Sequence, residues 1–82
     1  MAPEPEYPAA AKKDRVQGTV KLRVAVGTDG KPYRIRVAGS LGHGLDEEAI
    51  KTVNKWRFSP GKDEAGSPVA VEINVEMTFR LF

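Results

Sequence analysis

The chain of 82 residues has no cysteine, one histidine and no long hydrophobic run. Without cysteine it has neither disulfides nor thiolate metal ligands, so packing alone must hold the fold together. A membrane-spanning helix needs about 20 consecutive apolar residues, and no segment approaches that length. The net charge of +2, from 13 basic and 11 acidic residues, is too balanced to indicate nucleic-acid binding by itself. These absences favour one small globular domain with an ordinary apolar core.

Residues that commonly carry catalysis are also scarce. His43 lies between two glycines, and Asp46 is its nearest carboxylate in the sequence, which favours an exposed loop residue over a base or metal ligand. The acidic run from Asp46 to Glu48 cannot converge on one substrate, because consecutive helical residues diverge by about 100°. The nearby glycines lack the Gly-Lys-Ser/Thr of a phosphate-binding loop. We therefore predict that the chain is not an enzyme and has no catalytic residue, metal or cofactor.

Two alternating segments joined by Asp29-Gly30 predict a β-hairpin. Residues 19–26 and 33–38 each place apolar side chains on one face and polar ones on the other. The predicted core face comprises Val20, Leu22, Val24, Val26, Tyr33, Ile35 and Val37. The solvent face comprises Lys21, Arg23, Ala25, Arg34 and Arg36. These basic residues could contact phosphates, but the face lacks the aromatics of single-strand-binding domains, so solubility is the favoured role.

Helical patterns precede and follow the hairpin. Residues 1–6 resemble the end of a proline-rich linker. A helix of about two turns is predicted next, with Pro8 at its first position and its end before Gly18. A longer helix is predicted from about Leu45 to Arg57, because apolar residues recur there at helical spacing. That apolar stripe comprises Leu45, Ala49, Ile50, Val53 and Trp56. The segment Ser59-Pro60-Gly61 then ends the helix.

The last segment, Val69 to Phe82, alternates more regularly than any other. Every odd position from Val69 to Leu81 is apolar, and polar residues fill most even positions. The pattern predicts one strand much longer than the usual five or six residues.

This order of elements predicts an α+β domain with the sequence α-β-β-α-β. The hairpin makes the first two strands antiparallel neighbours, and the long helix forms a crossover that returns the chain to the sheet. The third strand then lies beside the first and parallel to the second, which predicts the strand order 2-1-3 with two helices on one face. An edge strand of this length invites pairing with a foreign strand. The strand could instead overhang the sheet or pair with a second copy of the chain.

Several short motifs recur in this order and spacing in one known family. They are Tyr7-Pro8 before the short helix, Gly18-Thr19-Val20, Asp29-Gly30, Leu45-Asp46-Glu47-Glu48-Ala49, and Lys55-Trp56-Arg57-Phe58-Ser59-Pro60-Gly61. Each motif is weak alone, but together they resemble the C-terminal domain of TonB-family energy transducers. The resemblance extends from about Pro5 to Phe82, so residues 7–82 are predicted to form the domain.

The resemblance implies a periplasmic adaptor at the C-terminal end of a protein anchored in the inner membrane. In this family the membrane anchor works with ExbB and ExbD, which use the proton-motive force. The C-terminal domain binds the TonB box, an extended peptide of an outer-membrane transporter for siderophores or cobalamin, which adds a strand to the domain's last strand. The implied partner-binding residues are Val69, Ala70, Val71, Glu72, Ile73, Asn74, Val75, Glu76 and Met77, with Glu4, Glu6 and Tyr7 from the preceding segment.

Other functions stay open at this point. A TonB-like or TolA-like envelope domain could bind peptides through the same edge without a role in nutrient uptake. A small nucleic-acid-binding domain could use the basic sheet face, and a homodimer could form through the long edge. The interpretation as a TonB-family transducer domain requires neither nucleic acid nor a small-molecule substrate.

Overall fold

The computed structural model describes residues 6–81. Of the predicted linker, residues 1–6, only Glu6 is therefore described, and the domain boundary stays a prediction. The elements are α1 Ala9–Lys13, β1 Gly18–Val26, β2 Pro32–Gly39, α2 Leu45–Asn54, β3 Gly61–Lys62, β4 Pro68–Val69 and β5 Val71–Phe79. Within the described residues, neither helix has the length and apolarity needed to cross a bilayer.

Three strands form the main sheet, in the order β2-β1-β5, and β1 is antiparallel to both neighbours. The predicted strand order and the α+β class with two helices are confirmed. Because β1 is central, β2 and β5 run parallel to each other, as the crossover through α2 requires. Within residues 6–81 the only strand beside β5 is β1, so β5 is an edge strand.

The core lies on the side of the sheet that faces the helices. Alternate residues of β1 point into it, and α2 packs on β1 and β2. The buried cluster comprises Ala11, Val20, Leu22, Val24, Val26, Leu45, Ala49, Val53, Met77 and Phe79. Burial of one large aliphatic side chain stabilises the fold by about 1.5–3 kcal/mol, which makes this apolar face the main source of stability.

Three hairpin residues depart from the predicted alternation. Tyr33 and Val37 are expected in the core, but they are 62% and 40% exposed. Tyr33 is skipped in the pairing of β2 with β1, which marks a bulge, and Val37 lies on the outer strand. Ala25 is expected at the surface but is 2% exposed. Its small side chain lies between its longer cross-strand neighbours, Arg34 and Glu72.

Both helices are shorter than predicted. α2 ends at Asn54 rather than near Arg57, because the N–H groups of Lys55 and Trp56 bind carbonyls three residues back, at 3.0 and 2.9 Å. Such bonds tighten the last turn and stop the helix.

α1 ends at Lys13 because the backbone enters the left-handed region shortly after it. Arg15 adopts a left-handed φ of 54°, and the N–H of Val16 closes the end by donating to the carbonyl of Ala11 at 2.9 Å. This closure leaves a helix of five residues that depends on tertiary contacts for its stability.

The hairpin turn docks against the segment that follows α2. The N–H of Phe58 donates to the carbonyl of Gly30 at 2.8 Å, and Gly30 has a left-handed φ of 81°. A Cβ at Gly30 would lie 2.1 Å from the carbonyl oxygen of Phe58, so only glycine fits there. The Asp-Gly turn and the Trp-Arg-Phe segment, which are distant in sequence, therefore form one contact.

The last strand is shorter than the predicted range of Val69 to Phe82. Val69 belongs to the two-stranded ribbon of β3 and β4, where it pairs with Gly61. Ala70 lies in neither strand, and β5 begins only at Val71. The prediction was wrong here because the chain after α2 supplies a separate pairing partner before the main sheet resumes.

Candidate functional site

The three-stranded sheet has two edge strands, β2 and β5, and the candidate site is the outer side of β5. Along a strand, the backbone groups of successive residues point to opposite sides, so one parity binds β1 and the other faces outward. No described segment pairs with the outward side of β5. The parity therefore decides which residues could bind an additional strand.

One backbone–backbone hydrogen bond and one bond from a backbone N–H to a side chain establish this parity. Gly27, which continues β1, directs its N–H toward β2 and donates to the carbonyl of Lys31 at 2.9 Å. The alternation and the pairing register then turn the odd residues of β5 toward β1. At the other end, the N–H of Leu81 donates to Oε1 of Gln17, which precedes β1, at 2.9 Å. At both ends of β5, the backbone N–H and C=O groups of the even residues therefore face outward.

Four residues of β5 thus present their backbone to solvent: Glu72, Asn74, Glu76 and Thr78. Each offers one N–H donor and one C=O acceptor along a strand that is regularly paired with β1 on its other side. This arrangement can accept an extended peptide as an additional strand.

The side of β5 that faces the helices is apolar. Met77 and Phe79 are buried, whereas Val71, Ile73 and Val75 are half-buried and pack against the core cluster. The difference arises because α2 lies over β1 and β2 rather than over the outer part of β5. An added strand would continue this apolar surface with every second side chain.

The opposite face of β5 is polar and partly paired. Nη1 of Arg23 donates to Oδ1 of Asn74 at 3.2 Å, and Nη2 of Arg23 lies 3.6 Å from the Glu72 carboxylate. Nη2 of Arg36 donates to the same carboxylate at 3.2 Å. Two of the four basic residues considered for nucleic-acid contact are therefore ion-paired with the edge strand.

The segment before α1 is attached at two places. The backbone N–H of Glu6 donates to Oε1 of Glu48 in α2 at 3.1 Å. The hydroxyl of Tyr7 donates to the carbonyl of Val16, and its ring meets Phe79 edge-on with centroids 5.6 Å apart. Tyr7 is therefore a fold contact at the C-terminal end of β5.

The structure brings together only part of the predicted site. Residues 71–77 lie on one edge strand, whereas Val69 and Ala70 lie outside that strand, and Glu4 is outside the described residues. Tyr7 contacts the strand about 27 Å from its start at Val71, given a rise of about 3.4 Å per residue. The sequence interpretation missed Thr78, although its even position continues the pattern of the outward residues.

A second polar cluster surrounds the start of α2. Nε2 of His43 lies 3.3 Å from the carboxylate of Asp14, and within residues 6–81 it forms no ion pair with Asp46. Burial by itself raises the pKa of Asp46, but hydrogen bonds from Ser40 and from the N–H groups of Leu41 and Gly42 outweigh it and hold the pKa below its usual range. These contacts order the loop before α2, and the described residues contain no cluster of three metal-ligating groups.

Comparison with known families decides the classification. The sequence profile described as the Gram-negative bacterial TonB protein C-terminal matches residues 3–81. The chain belongs to this family. The resemblance drawn from the motifs is confirmed.

Curated relatives agree with the family. Protein tonB2 of Pseudomonas aeruginosa is 48% identical over 61 residues, which cover 73% of this chain and 23% of that protein. Protein TonB of Vibrio cholerae is 32% identical over 79 residues, covering 95% and 32%. Protein TonB of Escherichia coli is 29% identical over 76 residues, covering 92% and 32%. The chain thus spans less than one third of the length of each of these relatives.

Proposed function

We propose that this TonB C-terminal domain is a periplasmic adaptor that binds the TonB box of an outer-membrane transporter as an added strand on β5. It would act by binding alone, without catalysis or a cofactor. The observation that carries the proposal is the unpaired outer edge from Glu72 to Thr78, on a domain whose family is that of TonB proteins.

The geometry of β5 suits a connection that must bear load. A peptide paired with Glu72, Asn74, Glu76 and Thr78 would form several backbone hydrogen bonds in a row. Tension along the strand direction would have to break these bonds together rather than one after another. Because backbone groups do not depend on side-chain identity, the same edge would accept peptides of different sequence.

Energy would enter through the part of a full-length protein that precedes this domain. We propose that residues 1–6 are the end of its linker, that residues 7–82 are the folded unit, and that ExbB and ExbD act on an inner-membrane anchor. Tyr7 supports this role, because its ring and hydroxyl attach the start of the domain to Phe79 and Val16. Pulling at the linker would thus load the end of the strand that holds the peptide.

The direct test is a titration of ¹⁵N-labelled domain with a TonB-box peptide, followed by amide NMR shifts. We expect the largest shifts at the amides of Glu72, Asn74, Glu76 and Thr78, whose N–H groups would acquire a partner. Shifts confined to α2 or to the hairpin turn, with β5 unchanged, would contradict strand addition.

Proline substitutions at neighbouring positions provide a matched pair. Asn74→Pro removes an outward N–H and should weaken peptide binding at least tenfold while the domain stays folded, because proline is tolerated at an open edge. Val75→Pro removes an N–H that faces β1 and should lower the urea midpoint markedly. If Asn74→Pro unfolds the domain and Val75→Pro does not, the assigned parity is wrong.

A further inference from the structure

The two acidic side chains of β5 differ in their partners. Glu72 is held between Arg23 and Arg36 on the polar face of the sheet. Glu76, four residues further along and on the same face, has neither a hydrogen bond nor an ion pair within residues 6–81. Its carboxylate is therefore the unneutralised anionic group of the open edge strand.

Glu76 forms no ion pair with the residue opposite it on β1. Its cross-strand neighbour is Lys21, which could have neutralised it. Lys21 instead leans toward β2, because Gly39 leaves room there. A Cβ at Gly39 would lie 3.3 Å from Cβ of Lys21 and 3.4 Å from its Cγ and Cδ. The aliphatic part of Lys21 thus lies beside Gly39, and its ammonium group forms no ion pair with Glu76.

In a complex with an added peptide strand, one peptide residue would lie directly opposite Glu76. The N–H and C=O of Glu76 face outward, so it would form a hydrogen-bonded pair with one residue of an added antiparallel strand. The side chain of that residue would lie on the same polar face, with its Cβ about 5 Å from Cβ of Glu76. Diagonal neighbours would lie about 7–8 Å away, which lysine and arginine side chains can still span.

We propose that Glu76 is a specificity-determining residue that selects peptides with a lysine or arginine on the polar face of the added strand. The inference rests on the proposed strand addition and specifies its partner: an extended segment, apolar toward the helices and basic opposite Glu76. Glu72 does not supply this selection, because Arg23 and Arg36 already occupy its carboxylate.

The test uses two capped heptapeptides that alternate valine and threonine and begin with valine, with lysine or glutamate in place of the central threonine. Affinities are measured by fluorescence anisotropy in about 10 mM and about 500 mM salt. We expect the lysine peptide to bind about two- to fivefold more tightly at low salt, as exposed ion pairs allow. The preference should shrink at high salt, because screening weakens exposed pairs.

Charge variants separate a local effect of Glu76 from the net charge of the domain. Glu76→Gln should remove the preference for lysine, and Glu76→Lys should reverse it. Glu64→Gln is the control, since it changes net charge equally from an exposed position in the turn between β3 and β4. Loss of the preference in Glu64→Gln as well would overturn the assignment to Glu76.

Other outcomes distinguish this inference from the proposed function. Equal binding of both peptides, with NMR shifts still along β5, would overturn the selection by Glu76 and leave strand addition standing. Absence of binding by these peptides and by the TonB-box peptide would overturn both. If Glu76→Gln dimerises in sedimentation velocity but keeps the preference, the carboxylate only prevents self-pairing, and the selection is refuted.

Discussion

The contact between the hairpin turn and the segment after α2 predicts an unusually large effect of one added methyl group. Gly30→Ala places a Cβ 2.1 Å from the carbonyl oxygen of Phe58, in a residue with a left-handed φ of 81°. The methyl group cannot be accommodated unless the turn and the segment separate. Separation breaks the hydrogen bond of 2.8 Å between Phe58 N–H and Gly30 C=O.

The variant Gly66→Ala separates the cost of left-handed backbone from the cost of the lost hydrogen bond. Gly66 has a similar left-handed φ of 83°, but a Cβ there would meet no atom of residues 6–81 within 4 Å. Left-handed backbone costs about 1–2 kcal/mol for a residue other than glycine, so Gly66→Ala should lower the free energy of unfolding by about that amount. Gly30→Ala should add about 1–3 kcal/mol for the buried backbone bond that is lost. The expected total at Gly30 is about 2–5 kcal/mol.

The assay is urea unfolding followed by the fluorescence of Trp56, the single tryptophan, whose ring lies 6.1 Å from that of Phe58. A domain of this size has a total stability of about 4–12 kcal/mol, so Gly30→Ala should remove a large share of it. In thermal unfolding, each kcal/mol should lower the Tm by about 4–8 °C. Equal urea midpoints for the two variants would refute the docking contact as a source of stability.

Asp46 at the start of α2 and Tyr7 before α1 should each contribute measurably to stability. Hydrogen bonds lower the pKa of Asp46 in the folded state. The ionised carboxylate therefore stabilises the fold fully above the unfolded pKa of about 4, and this contribution is lost as the pH falls through the folded-state pKa. Asp46→Asn should therefore cost about 1 kcal/mol at pH 7, and its urea midpoint should converge on that of the wild type in acid; a constant gap would contradict this. Tyr7→Phe should cost about 1 kcal/mol by thermal unfolding, since the hydroxyl bond to Val16 is lost while the ring contact with Phe79 remains. An unchanged Tm would show that this bond does not contribute.

Much of the architecture follows from the sequence alone. The alternation around Leu22 and around Ile73 defines two strand faces, because successive side chains of a strand point to opposite sides. The Asp29-Gly30 turn makes the first two strands neighbours, and the helical stripe after Leu45 forces a crossover. These local patterns leave few topologies, so the strand order and the edge position of the last strand could be predicted.

Other features depend on which residues meet across the fold. Val69 joins a separate ribbon only because Gly61 is available to pair with it. Tyr33 is exposed because a bulge removes it from the pairing of β2 with β1. The Trp-Arg-Phe segment is identifiable as a motif, but only the fold shows that it docks on Gly30.

Some features of the candidate site could also be predicted from the sequence, and others depend on the fold. The alternation of the last strand and its place at a sheet edge could be predicted, because periodicity and connection length are properties of the chain. The outward direction of the backbone N–H and C=O groups of Asn74 and Glu76 depends on the assembled sheet. A shift of one residue in the register with β1 would reverse every backbone direction. The fold also leaves Glu76 without an ion pair among residues 6–81, while the aliphatic part of Lys21 packs beside Gly39 on β2.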